Sequence, residues 1–316
     1  MSHQEEVHFW SRGCRLAGTL ALPRKGGGPP CPVVVQGPGW LGLRSAKLYR
    51  PYHAALLEAG FAVFTLDYRG FGDSEGDASY IDPNGQVDDI EAALDYLATR
   101  SEIDSRRIGA FGSGGTGGGN AVAVAAKDPR VKAIVSQVPV ADGRDWLHRM
   151  RREHEWLDFL ARIEADRGQR AATGQGELVP ARDGILVPTP ERRATTVKSD
   201  VDARITELVQ LASAEAIFAY RPIDLVPRIA PRATMFICVE DDSVTPEDHA
   251  FALYEAAQGP KRLVVQTGTT HYAAYERYQT LIIPLIVDWF RRFLVSGDVQ
   301  VREATPIADI SYLSLP

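Results

Sequence analysis

The chain is poor in cysteine, in long apolar runs and in clustered basic charge, and each shortage removes a class of function. Its 316 residues hold three cysteines, Cys14, Cys31 and Cys238, spaced too widely for a zinc site or a disulfide framework. No stretch approaches the roughly 18 uninterrupted apolar residues of a membrane span, and the polar, acidic residues 1–6 have no apolar signal core behind them. No long basic run occurs, and a net charge of −6 with a pI near 5.7 argues against a dedicated nucleic-acid binder. The expectation is a cytoplasmic protein whose partner is a small molecule rather than nucleic acid or membrane. A homodimer is the default assembly. Hydrophobic residues at 45% and charged residues at 24% suit a folded chain, long enough for one large domain with an insertion or for two domains.

What the chain has in excess is glycine at one place, Gly109-Ala110-Phe111-Gly112-Ser113-Gly114-Gly115-Thr116-Gly117-Gly118-Gly119-Asn120. An apolar, strand-like run from Ile108 to Phe111 enters it and an alanine-rich helix from Ala121 to Lys127 leaves it. Glycines at a strand-to-helix junction allow a sharp turn and aim the free amides of the helix start at whatever sits above. Two motifs live at such junctions, a phosphate or dinucleotide loop and a nucleophile elbow. A dinucleotide loop follows the first strand of a parallel unit and has an acid ending the next strand. Here the run follows later strands, and Val131 to Val138 leads to Pro139 with no acid.

The remaining grammar is that of alternating strands and helices. An antiparallel start, Val7 to Trp10 and Leu16 to Leu22, precedes buried strands at Cys31–Val35, Phe61–Leu66, Ile108–Phe111 and Val131–Val138. Helices are expected from Lys47 to Glu58 and around Val87, Ile90, Leu94 and Leu97, the latter with Asp88 and Asp89 in its first turn. This order implies a parallel sheet covered on both faces. Residues 142–231 then turn rich in Arg, Glu and Asp, with helical stretches near 145–166 and 200–220 and no buried-strand signal. Trp146, Trp156, Phe159, Phe218 and Tyr220 in this segment either pack as core or line a pocket. Sheet grammar returns with Thr234–Val239, a helix to Ala257, Arg262–Gln266 and a last helix, Tyr278–Leu294, carrying Pro284. Residues 299–316 form a tail without an assigned place.

In this order and spacing five motifs resemble the α/β-hydrolase fold, in the flavour of capped esterases, acyl-peptidases and carbon–carbon hydrolases. They are the Leu16–Pro23 opening, Gln36-Gly37, Asp67-Tyr68-Arg69-Gly70-Phe71-Gly72-Asp73-Ser74, Asp242-Ser243-Val244-Thr245-Pro246 and Thr270-His271-Tyr272. The resemblance implies an α/β fold with a mostly parallel eight-stranded sheet flanked by helices. It places the core at residues 1–140 and 231–298 and a helical cap at 141–230. It also points to Asp242 as acid and His271 as base, because the family's acid follows the penultimate strand and its base the last. Chemistry agrees: imidazole titrates near neutrality and can take and return a hydroxyl proton, and a carboxylate behind it fixes the tautomer. Glu240 and Asp241 compete with Asp242. His3, His8, His53 and His249 read as surface or packing residues, whereas His148 and His154 lie in the cap.

The elbow departs from that pattern. Counting forward from the strand places glycine, Gly114, where serine is usual, and counting back from Asp128 places Gly115 there. Ser113 and Thr116 flank the gap, and one residue of slippage would bring either beside His271. In the oxyanion loop Gln36-Gly37 is followed by Pro38, which has no N–H. Gly39 or Trp40 would donate instead, together with Gly114, Gly115 or Gly117. No cofactor or metal is implied. The expected function is hydrolysis of a small carbonyl compound (an ester, amide or carbon–carbon bond), with His271 and Asp242 activating Ser113, Thr116 or a water. The alternative is a cofactor-free lyase or isomerase with His271 as general base and no covalent nucleophile. A catalytically silent binding protein is the third reading, and retention of both Asp242 and His271 speaks against it.

Overall fold

The computed structural model describes residues 3–24, 30–191, 193, 202, 204–295 and 308–314. Strands β1 (His3–Ser11) and β2 (Cys14–Leu22) form an antiparallel hairpin. Arg12 and Gly13 turn it with φ of 46° and 85°, the left-handed pair that a two-residue hairpin needs. The next strands are β3 (Cys31–Gly37), β4 (Ala62–Leu66), β5 (Ile103–Gly115) and β6 (Val131–Pro139). A short pair follows, β7 (Leu178–Pro180) and β8 (Leu208–Gln210), and then β9 (Ala233–Val239), β10 (Lys261–Thr267) and β11 (Ala308–Ser314). The main sheet runs β1-β2-β4-β3-β5-β6-β9-β10-β11, antiparallel at β1, β2 and β4 and parallel from β4 onward.

Eight strands take the order expected of the α/β-hydrolase fold, and a ninth corrects the expected number. The unassigned tail supplies it: β11 pairs in parallel with β10, Ile310 beside Leu263 and Tyr312 beside Val265.

Strands buried on both faces read as unbroken apolar runs because helices cover each side. The two-residue period sends Val33 and Val35 to one core and Val34 to the other. On the Val34 side lie α1 (Arg50–Glu58), through Tyr52 and Leu56, and the late helix Gln279–Phe290, through Ile282, Ile286, Trp289 and Phe290. On the other side α2 (Pro83–Ala98) and α3 (Thr116–Lys127) pack through Val87, Ile90, Leu94 and Val122. Helix α2 opens on Asp82, whose carboxylate caps the amide of Asn84, with Pro83 at the first position. Asp88 and Asp89 therefore lie in its second turn rather than its first. Buried Asp89 accepts from the Arg69 amide (2.9 Å) and guanidinium (2.6 Å), fixing the loop after β4.

Between β6 and β9 the chain forms α4 (Gly143–Arg149), α5 (Glu153–Thr173), the β7–β8 pair and α6 (Ser213–Phe218). The β7–β8 pair is a departure from the expected helix, since β8 falls inside the stretch near 200–220. Trp156, Phe159 and Phe218 pack mainly on one another, with Trp156 and Phe218 rings 5.5 Å apart, while Trp146 reaches the central cavity. Tyr220 is buried and donates to Asn120 at 2.7 Å, tying this layer to α3. Among the described residues no helix is long and apolar enough to cross a membrane.

His249, on α7 (Asp248–Ala256), is buried, and its Nδ1 accepts from the Ala141 amide at 3.2 Å. Burial pushes this imidazole below its ordinary value, ahead of the opposing pull of Asp145. Because the folded state holds it neutral, the unfolded chain binds the proton first as pH falls. The stability it contributes is present above about pH 6.5 and is lost below that value. Unfolding midpoints measured from pH 8 to 5 should fall on the acid side, and His249→Gln should flatten that slope; an unchanged slope would exclude His249 as its source.

Candidate active site

The glycine stretch resolves into two kinds of position. β5 ends at Gly115 and α3 starts at Thr116 with nothing between, so the chain turns from strand to helix at one residue. Gly115 has φ 59° and ψ −106°, preceded by Gly114 at φ 80°. A Cβ on Gly115 would meet nothing closer than 3.7 Å, the Trp146 ring, and Gly115 lies on the cavity wall. Of the two countings, this geometry selects Gly115 as the elbow residue. The other glycines serve close approach. A Cβ on Gly112 would lie 1.9 Å from the Gly117 carbonyl oxygen, one on Gly117 2.7 Å from that of Pro38, and one on Gly118 2.8 Å from that of Gln137.

Ser113 and Thr116 are not brought to the cavity. The Ser113 hydroxyl is fully buried and donates to Gln137 Oε1 at 3.2 Å. That of Thr116 is buried without a hydrogen-bond partner, and neither residue lines the wall. Ser113 is still within β5 with its hydroxyl taken up by Gln137 of the neighbouring β6, and Thr116 is wholly buried at the first position of α3. Gly117, also expected at the site, packs on the Pro38–Gly39 backbone instead.

His271 opens α8 (His271–Glu276) after β10, and Asp242 sits in the turn after β9. His271 Nδ1 lies 2.7 Å from Asp242 Oδ2. The other carboxylate oxygen accepts from the amides of Val244 (2.7 Å) and Thr245 (3.0 Å). A carboxylate so held accepts from Nδ1, which selects the tautomer whose lone pair is on Nε2 whenever the imidazole is neutral. Both side chains are buried, and His271 is on the cavity wall. Glu240 and Asp241 are exposed and take no part.

Three further residues carry no sequence signal. Glu191 accepts from the Ser243 hydroxyl (3.2 Å) and the Tyr272 amide (3.1 Å), so one carboxylate ties the acid's loop to the base's helix. Tyr49 accepts the Gly39 N–H at 3.2 Å, which removes that amide as a free oxyanion donor and leaves the phenol's own proton to give. Tyr275 has a buried hydroxyl with no hydrogen-bond partner and a ring 5.3 Å from that of His271. Burial pushes Tyr49 up to about 12 and Tyr275 well above the phenol range, so both keep their protons. They share the wall with Gly39, Trp40, Gly114 and Gly115, round a cavity of about 570 Å³. His148 pairs with Glu153 and stacks on Trp156, away from this wall. Among the described residues no group of three His, Cys, Asp or Glu side chains could hold a metal ion.

Residues 12–272 match the model of the family described as X-Pro dipeptidyl-peptidase (S15 family). The chain is 29% identical over 293 residues to an uncharacterized 31.7 kDa protein of the traX-finO intergenic region of Escherichia coli, covering 91% of this chain and 98% of that one. Its fold is similar to the crystal structures of the hypothetical protein PA2218 from Pseudomonas aeruginosa and the alpha/beta hydrolase GrgF from Penicillium sp. sh18. The first has a TM-score of 0.81 at 22% identity, with 93% of this chain and 94% of that chain covered. The second has a TM-score of 0.75 at 20% identity, with 93% and 99% covered.

The backbone approach at Gly112 gives the sharpest structural test. Gly112→Ala must push α3 from β5, and overpacking typically costs about 1–3 kcal/mol, with this backbone clash at the upper end. Chemical denaturation should show that loss, whereas Gly168→Ala, at a position where an added Cβ meets nothing, should not.

Proposed function

The chain belongs to the X-Pro dipeptidyl-peptidase (S15) family, whose fold and relatives support a hydrolase-type activity, and on that premise we propose that it hydrolyses a small acyl compound (an ester, amide or carbon–carbon bond) without a covalent acyl-enzyme. The observation that carries this reading is that the Asp242–His271 pair shares one cavity with a glycine at the elbow. His271 Nε2 takes a proton from a water, whose oxygen attacks the carbonyl from the space a serine side chain would fill. The carbonyl oxygen becomes an oxyanion, and His271 then returns the proton to the leaving group as the bond breaks. The amides that open α3 and the phenols of Tyr49 and Tyr275 supply donors to the oxyanion. One such donor is typically worth about 10²–10³ in turnover. Asp242 holds the tautomer throughout.

The bare elbow also favours a second reading, in which His271 removes a proton from carbon beside the carbonyl and the same donors hold the enolate. Isotopic oxygen from solvent in the product distinguishes hydrolysis from this route.

On nitrophenyl esters, His271→Ala and Asp242→Asn should abolish turnover, Tyr275→Phe should lower kcat about 10²-fold, and Ser113→Ala and Thr116→Val should retain it. A serine-directed fluorophosphonate should leave the native enzyme unlabelled and label Gly115→Ser. Labelling of the native chain at Ser113 or Thr116 would overturn the water mechanism.

A further inference from the structure

The cavity wall is apolar over much of its extent, through Leu41, Leu43, Leu48, Leu186 and Ile205, and charged in a particular way. Its ionic residues are Lys47, Arg50, Arg182, Arg204, Asp202 and Glu276. Arg204 is held by Asp202 at 2.7 Å and by Asp73 at 2.8 Å, so its charge is answered within the protein. Glu276 also has interactions of its own. Lys47, Arg50 and Arg182 have no ion-pair partner among the described residues.

These three come from two sides. Lys47 and Arg50 flank Tyr49 at the head of α1, on the sheet side, and both are exposed. Arg182 is half-buried in the turn Ala181–Ile185, between β7 and Leu186, on the opposite layer. Composition does not force the arrangement. The chain carries a net charge of −6, and elsewhere its guanidinium groups take carboxylates readily: Arg106 and Arg107 both bind Asp104, and Arg130 binds Asp95 and Asp128. Three cations without an ion-pair partner on one cavity wall give it a positive field that draws anions inward.

We propose that the substrate is an acyl compound whose end remote from the reacting carbonyl is anionic, a carboxylate or a phosphate, held by Lys47, Arg50 and Arg182. The apolar body lies along the leucines and the carbonyl reaches His271. The carbonyl end of this placement rests on the hydrolase reading above; the anion site does not.

Binding is measured by calorimetry with ketones, which the acyl route does not consume. The probes are three methyl ketones of about nine carbons whose far end is a carboxylate, a phosphate ester or a plain methyl group. At least one anionic probe should bind about tenfold more tightly than the neutral one. That advantage should shrink in about 0.5 M salt and disappear in the triple variant Lys47→Gln, Arg50→Gln, Arg182→Gln. Carboxylate and phosphate arms tell which anion is preferred. Equal affinity for charged and neutral probes, or an advantage that survives the triple substitution in a folded variant, overturns the proposal. Ester turnover that depends on His271 but shows no anion preference sinks this inference alone. Anion preference with turnover indifferent to His271→Ala supports it while sinking the hydrolase mechanism.

Discussion

Everything at this site depends on how closely α3 lies on the sheet. The Gly117 carbonyl occupies the space a Cβ on Gly112 would need, and Gly117 in turn sits against the Pro38 carbonyl. Backbone against backbone leaves no side chain to yield, so the loop after β3, the end of β5 and the start of α3 move as one body. That rigidity sets where the α3 amides point and where the Gly115 turn faces. The density of glycine is thus first a packing requirement. Its consequence is a helix start held still beneath a cavity.

The second constraint is the Asp242 carboxylate. Two amides and an imidazole bond to it, and all three donors lie just past the ends of β9 and β10. Since those strands are neighbours in the sheet, the pairing of Thr234–Val239 with Lys261–Gln266 delivers acid and base to the same edge. Glu191 adds a tie from the opposite layer, so any displacement of that layer is felt at both loops. Removing the carboxylate would leave two buried amides and an imidazole unsatisfied at once, so orientation of the base and local folding rest on the same two oxygens.

The legible parts of this molecule were those written in side chains. Buried parallel strands announce themselves as apolar runs, and the likeness to the α/β-hydrolases points to Asp242 and His271, whose side chains lie 2.7 Å apart. The elbow was illegible for the opposite reason: glycine carries no side chain to mark its position, and only the pair φ 59°, ψ −106° separates Gly115 from Gly114. Hydroxyls at Ser113 and Thr116 therefore drew attention that their burial denies them. Tyr49 and Tyr275 stand in no motif, and only the folded chain brings them, buried, to the cavity wall. The ninth strand escaped notice because an edge strand with Ile310 and Tyr312 exposed lacks the apolar run of its neighbours.

A glycine at the elbow changes what the rest of the site must do. With a hydroxyl there, the barrier is divided between formation and breakdown of a covalent intermediate. On the hydrolytic route we propose, water attacks directly, and the gain comes from stabilising the charge that develops on the carbonyl oxygen. Buried donors on a largely apolar wall are stronger than the same groups in solvent. Neutral phenols suit this work because burial keeps Tyr49 and Tyr275 protonated, so each can give a hydrogen bond without bringing a charge that would compete with the oxyanion. The cations stand outside this inner shell, next to Tyr49 but solvent-exposed in the case of Lys47 and Arg50. That division suits an enzyme that binds its substrate by one end and reacts at the other. Under the anion-site proposal, binding energy from the remote anion would fix the carbonyl beside His271, and positioning would take over part of the task that a covalent intermediate performs with a serine nucleophile.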